Sequence, residues 1–347
     1  MSLQEHNHYY NSNRHGNNDQ GVFWMSFNDF VKYFCSIDIC KTRLDYFESR
    51  MTGYFNWEGT REMQAYHLVV FETSEFDIGL FHKTIKNRRE NSDLDLCFVV
   101  LHINGGRRDS VGKVAIASKR SVRKFIGCEH IFEPGEYLIV PMSFNFWYTT
   151  GPNNKRNYTP AAIIDSPEPN DKQTSQQASK SDTYNNLYNL VIHSPKEFFV
   201  EQEMHSTFLL ADTIIQLCMS NGSKTSAGLD NACIYTMTKG WSGILVIAEN
   251  CNERAYLHVE LDCERSNNVV STRQTLTTKD SVPPLHCQVL THLEGSSGYS
   301  IQYSIKYRLS SNPFLNTWPG NEGQMITNYP EINKQTFGLH APRSVFL

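Results

Sequence analysis

The stretch LDLCFVVLHINGG at residues 94–106 decides the fold more clearly than any other part of this sequence. It combines an apolar run of the length of a buried strand with Asn104-Gly105-Gly106, which favours a turn. Comparable runs lie on both sides of it, at residues 66–71, 76–81, 111–117, 137–141, 187–192 and 197–200. This spacing predicts an antiparallel β-sandwich, which we place at residues 49–204. A polar segment at residues 150–186 is typical of a solvated insertion within it.

The second half of the sequence predicts one helix and a smaller β-rich domain at residues 205–347. Within residues 207–219, apolar side chains recur on one helical face, and Asn221-Gly222 supplies a stop. That face consists of Phe208, Ala211, Ile215 and Cys218. Strands are predicted after it at residues 234–237, 243–249, 256–262, 269–271, 289–293 and 299–307. The fold is therefore expected to be mainly β.

The N-terminal residues differ in amino-acid composition from the rest of the chain. Residues 1–20 are rich in Asn, His, Gln and Ser, a composition that predicts a flexible polar arm. From residue 21 onward an apolar burst at 22–25 predicts a strand. The spacing of the aromatic residues that follow it predicts a short amphipathic helix. A short α/β segment is thus expected at residues 21–48.

Composition and charge exclude several classes of protein. The chain has 347 residues, of which 39% are hydrophobic, and this is enough for two or three domains with cores of their own. A net charge of −4 gives no general attraction to nucleic acid, and the aromatic residues do not alternate with basic ones as base-stacking surfaces require. Nine cysteines without framework spacing, and the lack of a signal-like or membrane-length apolar segment, predict a cytoplasmic protein with free thiols.

Catalysis by cysteine is one candidate chemistry. A cysteine protease needs a thiolate, a histidine within hydrogen-bond reach, and a group that orients the histidine. Cys35 and Cys40 are the candidates for a nucleophile, and buried structural thiols are the alternative interpretation. The sequence around neither cysteine matches a nucleophile motif, so we expect no catalytic residue in this chain.

Two groups of residues are weak candidates for metal binding. The polar arm carries His6, His8 and His15, although a disordered arm offers no preorganised site and solvation explains it equally. Calcium prefers several oxygen ligands, which an acidic loop before the strand at 94–103 could supply. The acidic residues there are Glu90, Asp93 and Asp95. No EF-hand pattern is present, and no cofactor is predicted.

A basic cluster is the candidate contact surface. Lys119, Arg120, Arg123 and Lys124 place four positive charges within six residues. Such a cluster could bind anionic phospholipid or the acidic face of a protein, with the neighbouring apolar residues Val122 and Phe125 anchoring the segment. A solvated charged surface is the alternative.

Several of these segments resemble the calpain family of cysteine proteases. GVFWMSFNDF at 21–30, with Tyr33-Phe34 and Ile37-Asp38-Ile39-Cys40, resembles the closing stretch of the calpain protease core. Further segments resemble the small-optic-lobes branch of calpains and its C-terminal homology domain. They are VGK at 111–113, SKRSVRKF at 118–125, EPGEY at 133–137, YLHV at 256–259, NVVSTR at 268–273, DSVPPLH at 280–286 and GLHAPR at 338–343.

The resemblance implies that the Cys, His and Asn of the catalytic triad precede residue 1. The chain is then expected to be a non-catalytic C-terminal portion whose calpain-type β-sandwich docks on the protease core and presents surfaces to substrates or regulators. A free-standing adaptor for protein partners or phospholipid is the alternative, and a hydrolase using Cys35 or Cys40 is a third. Classical calpains carry an acidic residue, a glycine and another acidic residue just before Phe-Trp-Met, where calcium binds. Here Gln20, Gly21 and Val22 occupy those positions, which leaves calcium activation through them unsupported.

Overall fold

A computed structural model gives the architecture of the chain. It describes residues 24–35, 43–55, 62–83, 94–103, 111–143, 187–226, 231–238, 243–273, 275–311 and 338–344. The predicted polar arm and polar insertion, and the segment Ile37–Cys40, lie outside the described residues. The chain divides into two compact units, Met1–Leu44 and Asp45–Leu347.

The first unit contains helix α1, Phe27–Tyr33. Its N-cap is Ser26, whose Oγ accepts a hydrogen bond from the backbone N–H of Asp29 at 3.1 Å. The helix confirms the aromatic periodicity, but Trp24 and Met25 lie in irregular backbone and not in the expected strand. Trp24 and Met25 directly precede the N-cap Ser26, so the backbone here enters helix α1.

Within the residues that the structure describes, the second unit begins with a β-sandwich of ten strands. They are β1 Phe47–Tyr54, β2 Glu62–Val70, β3 Ser74–His82, β4 Asp95–Ile103, β5 Val111–Ala117, β6 Ser121–Val122, β7 Phe125–Phe132, β8 Gly135–Ser143, β9 Leu187–Ser194 and β10 Phe198–Ser206. One antiparallel sheet has the order β1-β9-β3-β7, and the other has the order β10-β2-β8-β4-β5 with β6 beside β4. Tyr66, Phe76, Phe98, Phe132 and Tyr188 are among the large side chains fully buried between the two sheets.

The remaining elements form a helix and two further sheets. They are α2 Phe208–Asn221, β11 Ser223–Ser226, β12 Ala232–Met237, β13 Gly243–Asn250, β14 Tyr256–Asp262, β15 Asn267–Ser271, β16 Thr277–Val282, β17 His286–Ser300, β18 Ser304–Ser310 and β19 Arg343–Ser344. One sheet has the order β11-β12-β13-β17-β15 with β19 beside β17, and the other has the order β16-β14-β18. A buried apolar cluster that includes Ile244, Val259 and Leu290 lies between them.

Helix α2 is the central layer of this unit. The outer face of the six-stranded sheet, with Ala65, Val99 and Leu138, shares one buried cluster with α2 and with Leu245 and Val289 of the next sheet. The sequence predicted one apolar face on this helix, but the buried part of α2 is wider than that face. The helix buries side chains toward sheets on both sides. The sandwich and the C-terminal strands form one continuous interior.

The mainly β fold with antiparallel sheets is confirmed, and the differences from the predicted elements have physical causes. Strands β1 and β16 were missed because the sequences FESRMTGY and TTKDSV carry few aliphatic residues. Strand β7 was missed because polar residues interrupt the apolar ones in its sequence, FIGCEHIF. The single strand expected at 299–307 is interrupted between Ser300 and Ser304, where β17 ends and β18 begins.

Candidate functional site

The structure divides the basic cluster. Lys119, Arg123 and Lys124 are exposed, but the side chain of Arg120 is only 4% exposed. Arg120 Nε donates to Asp95 Oδ2 at 2.7 Å, and Nη2 contacts carboxylate oxygens of both Asp95 and Glu294. Arg120 is therefore not an exposed member of the cluster, because its guanidinium is paired with two carboxylates inside the protein.

The ion pair between Arg120 and Asp95 also bears on the acidic residues predicted as calcium ligands. Asp95 is buried on β4, and the guanidinium of Arg120 is its hydrogen-bond partner. A neighbouring positive charge opposes cation binding, so this pair disfavours calcium at Asp95, and calcium binding there stays a prediction. Glu90 and Asp93 lie outside the described residues.

Apolar side chains are exposed beside the three remaining cations. Val122 and Phe125 are each about half exposed. The Phe125 ring stacks on Phe81 with ring centroids 4.4 Å apart. Lys119, Arg123 and Lys124 lie next to these apolar residues in sequence. We call these three cations, with Val122, Phe125 and Phe81, the basic-aromatic surface.

A second polar group lies on the outer face of the six-stranded sheet. His67 on β2 is buried, and its Nε2 is 2.9 Å from Glu136 Oε2 on β8. Its Nδ1 is 3.6 Å from Glu201 Oε1 and 3.9 Å from Glu203 Oε1, both on β10. One ligating atom from each of His67, Glu201 and Glu203 lies within 4.8 Å of the others, a spacing at which the three could hold a metal ion.

The sequence interpretation missed this group. The only local signal is the alternation Glu201-x-Glu203-x-His205, which places three ionisable side chains on one face of a strand. That alternation alone is typical of a solvated strand edge. His67 lies far away in sequence, so only the pairing of β10 with β2 brings it to these carboxylates.

The described cysteines of the second unit favour the structural interpretation of the thiols. Burial raises the pKa of Cys97, Cys128 and Cys218 to about 12, and raises the pKa of Cys251 and Cys263 to about 11. A thiol with a raised pKa is a poor nucleophile at neutral pH, because the thiolate is the reactive form. Of the two candidate nucleophiles, Cys35 is exposed just after α1, and Cys40 lies outside the described residues.

The first unit presents apolar side chains to solvent. Trp24 is 85% exposed and Phe27 is 77% exposed, and Val31 and Phe34 are also exposed. No residue of α1 is buried. Exposed apolar patches of this kind mark contact sites.

One comparison with known protein families identifies part of the chain. Residues 217–313 match the family model described as Calpain-D-like, C-terminal domain. The match begins within α2 and ends just after β18, so it covers the C-terminal sheets except for β19. Among the described residues, neither helix is long and apolar enough to cross a membrane. Residues 217–313 thus resemble the C-terminal domain of Calpain-D-like proteins, and this match supports a calpain-type C-terminal region in this chain.

Proposed function

We propose that this chain acts as the non-catalytic C-terminal region of a small-optic-lobes type calpain, docking on a protease core and presenting surfaces to substrates or regulators. The observation that carries the proposal is the exposed apolar surface of the first unit, centred on Trp24 and Phe27. The family match at residues 217–313 and the neutral, buried thiols of the second unit support it.

The absence of peptidase activity is the first test. The purified chain is incubated with casein and a thiol reductant, with and without calcium, and we expect no cleavage in either condition. Cleavage that is lost in Cys35→Ala or Cys40→Ala would establish the hydrolase alternative instead. A calpain protease core assayed in parallel shows that the conditions support catalysis.

Docking is tested with a separately prepared calpain protease core, by measuring its affinity for the chain in a titration. Burying a large apolar side chain contributes roughly 1.5–3 kcal/mol, so Trp24→Ser and Phe27→Ser should each weaken binding about tenfold or more. Tyr303→Ser is the matched control, because Tyr303 is also exposed but lies between β17 and β18, outside the sandwich. Equal affinities for Trp24→Ser, Tyr303→Ser and the unchanged chain would contradict the proposed docking surface.

A second candidate function, adaptor binding to anionic phospholipid, is favoured by the basic-aromatic surface. Exposed Phe125 and Val122 lie beside three exposed cations, and this combination suits the interface between headgroups and acyl chains. Each basic residue near an anionic membrane contributes on the order of 1 kcal/mol, so Lys119→Glu/Lys124→Glu should weaken vesicle binding by at least about thirtyfold.

The lipid test uses sedimentation with vesicles of phosphatidylcholine alone and with phosphatidylserine added, at low and high salt. Lys306→Glu is the control, because Lys306 is exposed on β18 and lies outside the basic-aromatic surface. Binding that requires phosphatidylserine, weakens with salt and is lost only in the double variant supports the adaptor function. Equal binding by the double variant and the unchanged chain would leave the cluster as a solvated surface.

A further inference from the structure

We propose that His67, Glu201 and Glu203 form a binding site for a divalent transition-metal ion of the Zn²⁺ type. The site lies on the sandwich and does not depend on the docking or lipid surfaces. It would fasten β10, the last strand before α2, to its neighbour β2 in the sheet.

The pairing of the strands explains why these side chains meet. His67 is directly opposite Glu201 in the antiparallel register of β2 and β10, and Ala65 is opposite Glu203. Side chains two residues apart on a strand share a face, so Glu201 and Glu203 both lie on the face of His67. Ala65 is buried in the cluster around α2, which identifies this face as the outer one of the six-stranded sheet.

The distances within the group match metal ligands better than hydrogen bonds. Separations of 3.6 Å and 3.9 Å from His67 Nδ1 to the two carboxylates are too long for hydrogen bonds. Two ligands about 2.1 Å from a tetrahedral Zn²⁺ are about 3.4 Å apart. A small adjustment of the two glutamate side chains therefore brings all three atoms to coordinating distance.

His67 supplies the independent indication of a ligand. Its side chain is 5% exposed, and Nδ1 has no hydrogen-bond partner although it is directed toward the two carboxylates. A buried ring nitrogen left without a hydrogen bond costs stability, and a coordinated ion removes that cost. The other ring nitrogen is held by Glu136, as in the carboxylate–histidine–metal arrangement that orients imidazole ligands.

The ligand types favour Zn²⁺ over calcium. One imidazole nitrogen and two carboxylates suit a borderline ion, whereas calcium requires six to eight oxygen ligands. Glu201 is 38% exposed, which leaves a path from solvent to the site. His205 contacts the other oxygen of Glu203 at 3.1 Å and restrains that carboxylate.

Zn²⁺ binding to the full chain is measured by isothermal titration under reducing conditions after removal of metal with a chelator. We expect the unchanged chain to bind one more equivalent than His67→Gln or Glu201→Gln, and Glu136→Gln to bind about 10–100-fold more weakly. His193→Gln is the control, because His193 pairs with a single glutamate, Glu48, on the other sheet. Since Glu201 is partly exposed, its variant should fold even if His67→Gln does not.

Titration with Co²⁺ separates this site from the cysteines. Thiolate ligands give an intense sulfur-to-cobalt charge-transfer band, which an imidazole–carboxylate site lacks. Loss in Glu201→Gln of visible cobalt absorption that is not accompanied by this band supports the proposal. Identical Zn²⁺ and Co²⁺ titrations for the unchanged chain, Glu201→Gln and His67→Gln would overturn it, leaving a buried histidine beside three glutamates.

Discussion

Replacing Arg120 by Met tests the buried charge network that joins the sandwich to the C-terminal sheets. Arg120 contacts Asp95 on β4 and Glu294 on β17, and methionine keeps the length of its apolar stem while removing the charge. Removing one partner of a buried ion pair costs about 3–5 kcal/mol, because the remaining charge loses its compensation. We therefore expect the free energy of unfolding of Arg120→Met to fall by about that amount.

Urea unfolding at pH 7 measures this change, with the dependence on urea unaltered if the compactness of both states is preserved. Lys119→Met is the control, and as an exposed substitution it should stay within about 0.5 kcal/mol of the unchanged chain. Asp95→Asn combined with Arg120→Met should recover part of the loss, while Glu294 keeps its charge. A loss for Arg120→Met no larger than that for Lys119→Met would refute the assignment of a buried, stabilising pair.

Two other predictions concern buried histidines and a constrained glycine. Burial lowers the pKa of His340 from 6.5 to about 3, and the pKa of His292 lies well below 6.5. The unfolded chain thus takes up protons first as the pH falls, so stability present above pH 6.5 should be lost toward pH 3, by about 1.4 kcal/mol per pH unit for His340, and His292 adds a loss in the same direction. His340→Gln should show a shallower loss in urea titrations across this range, and an unchanged slope would argue against a neutral buried His340. Gly243→Ala should destabilise the chain by about 3 kcal/mol or more, because φ is +127° and a Cβ would lie 1.9 Å from Leu293 O. Gly135→Ala, whose Cβ would meet only ordinary contacts, should cost far less, and equal costs would contradict this explanation.

The strands that could be predicted are those whose burial comes from aliphatic side chains. The continuous apolar run at residues 94–103 predicts a strand, and strand β4 begins at Asp95, one residue after the start of that run. Strand β16 gives no such signal, since its buried residues include Asp280. Arg273 Nη1 donates to both carboxylate oxygens of Asp280, at 2.9 Å and 2.7 Å, which allows this charge to be buried. Such a partner cannot be deduced from the periodicity of the strand.

The candidate sites show the same limit. A cluster of four cations in six residues is visible in sequence, but nothing local distinguishes Arg120 from Lys119. The difference arises from Glu294, 174 residues later, which comes close only when β17 is in place. His67 is likewise an unremarkable residue of an apolar strand until β10 pairs beside it. Charge density can be predicted from sequence, whereas the burial of each charge depends on distant pairing.

Helix α2 explains why strand β4 of the sandwich lacks the usual alternation of buried and exposed residues. Strands of an antiparallel sheet with one solvent-exposed face alternate apolar and polar residues. In β4, however, seven successive residues starting at Asp95 are buried. The alternation is absent because α2 and the next sheet cover the outer face of this strand. The family match starts at Leu217, although Leu209 and Ile214 of α2 belong to that shared interior. A fragment cut at residue 217 would lose these contacts and expose apolar surface. A cut before Phe208 would still separate α2 from Ala65, Val99 and Leu138 of the sandwich, so the region matched by sequence is smaller than the buried cluster to which it contributes.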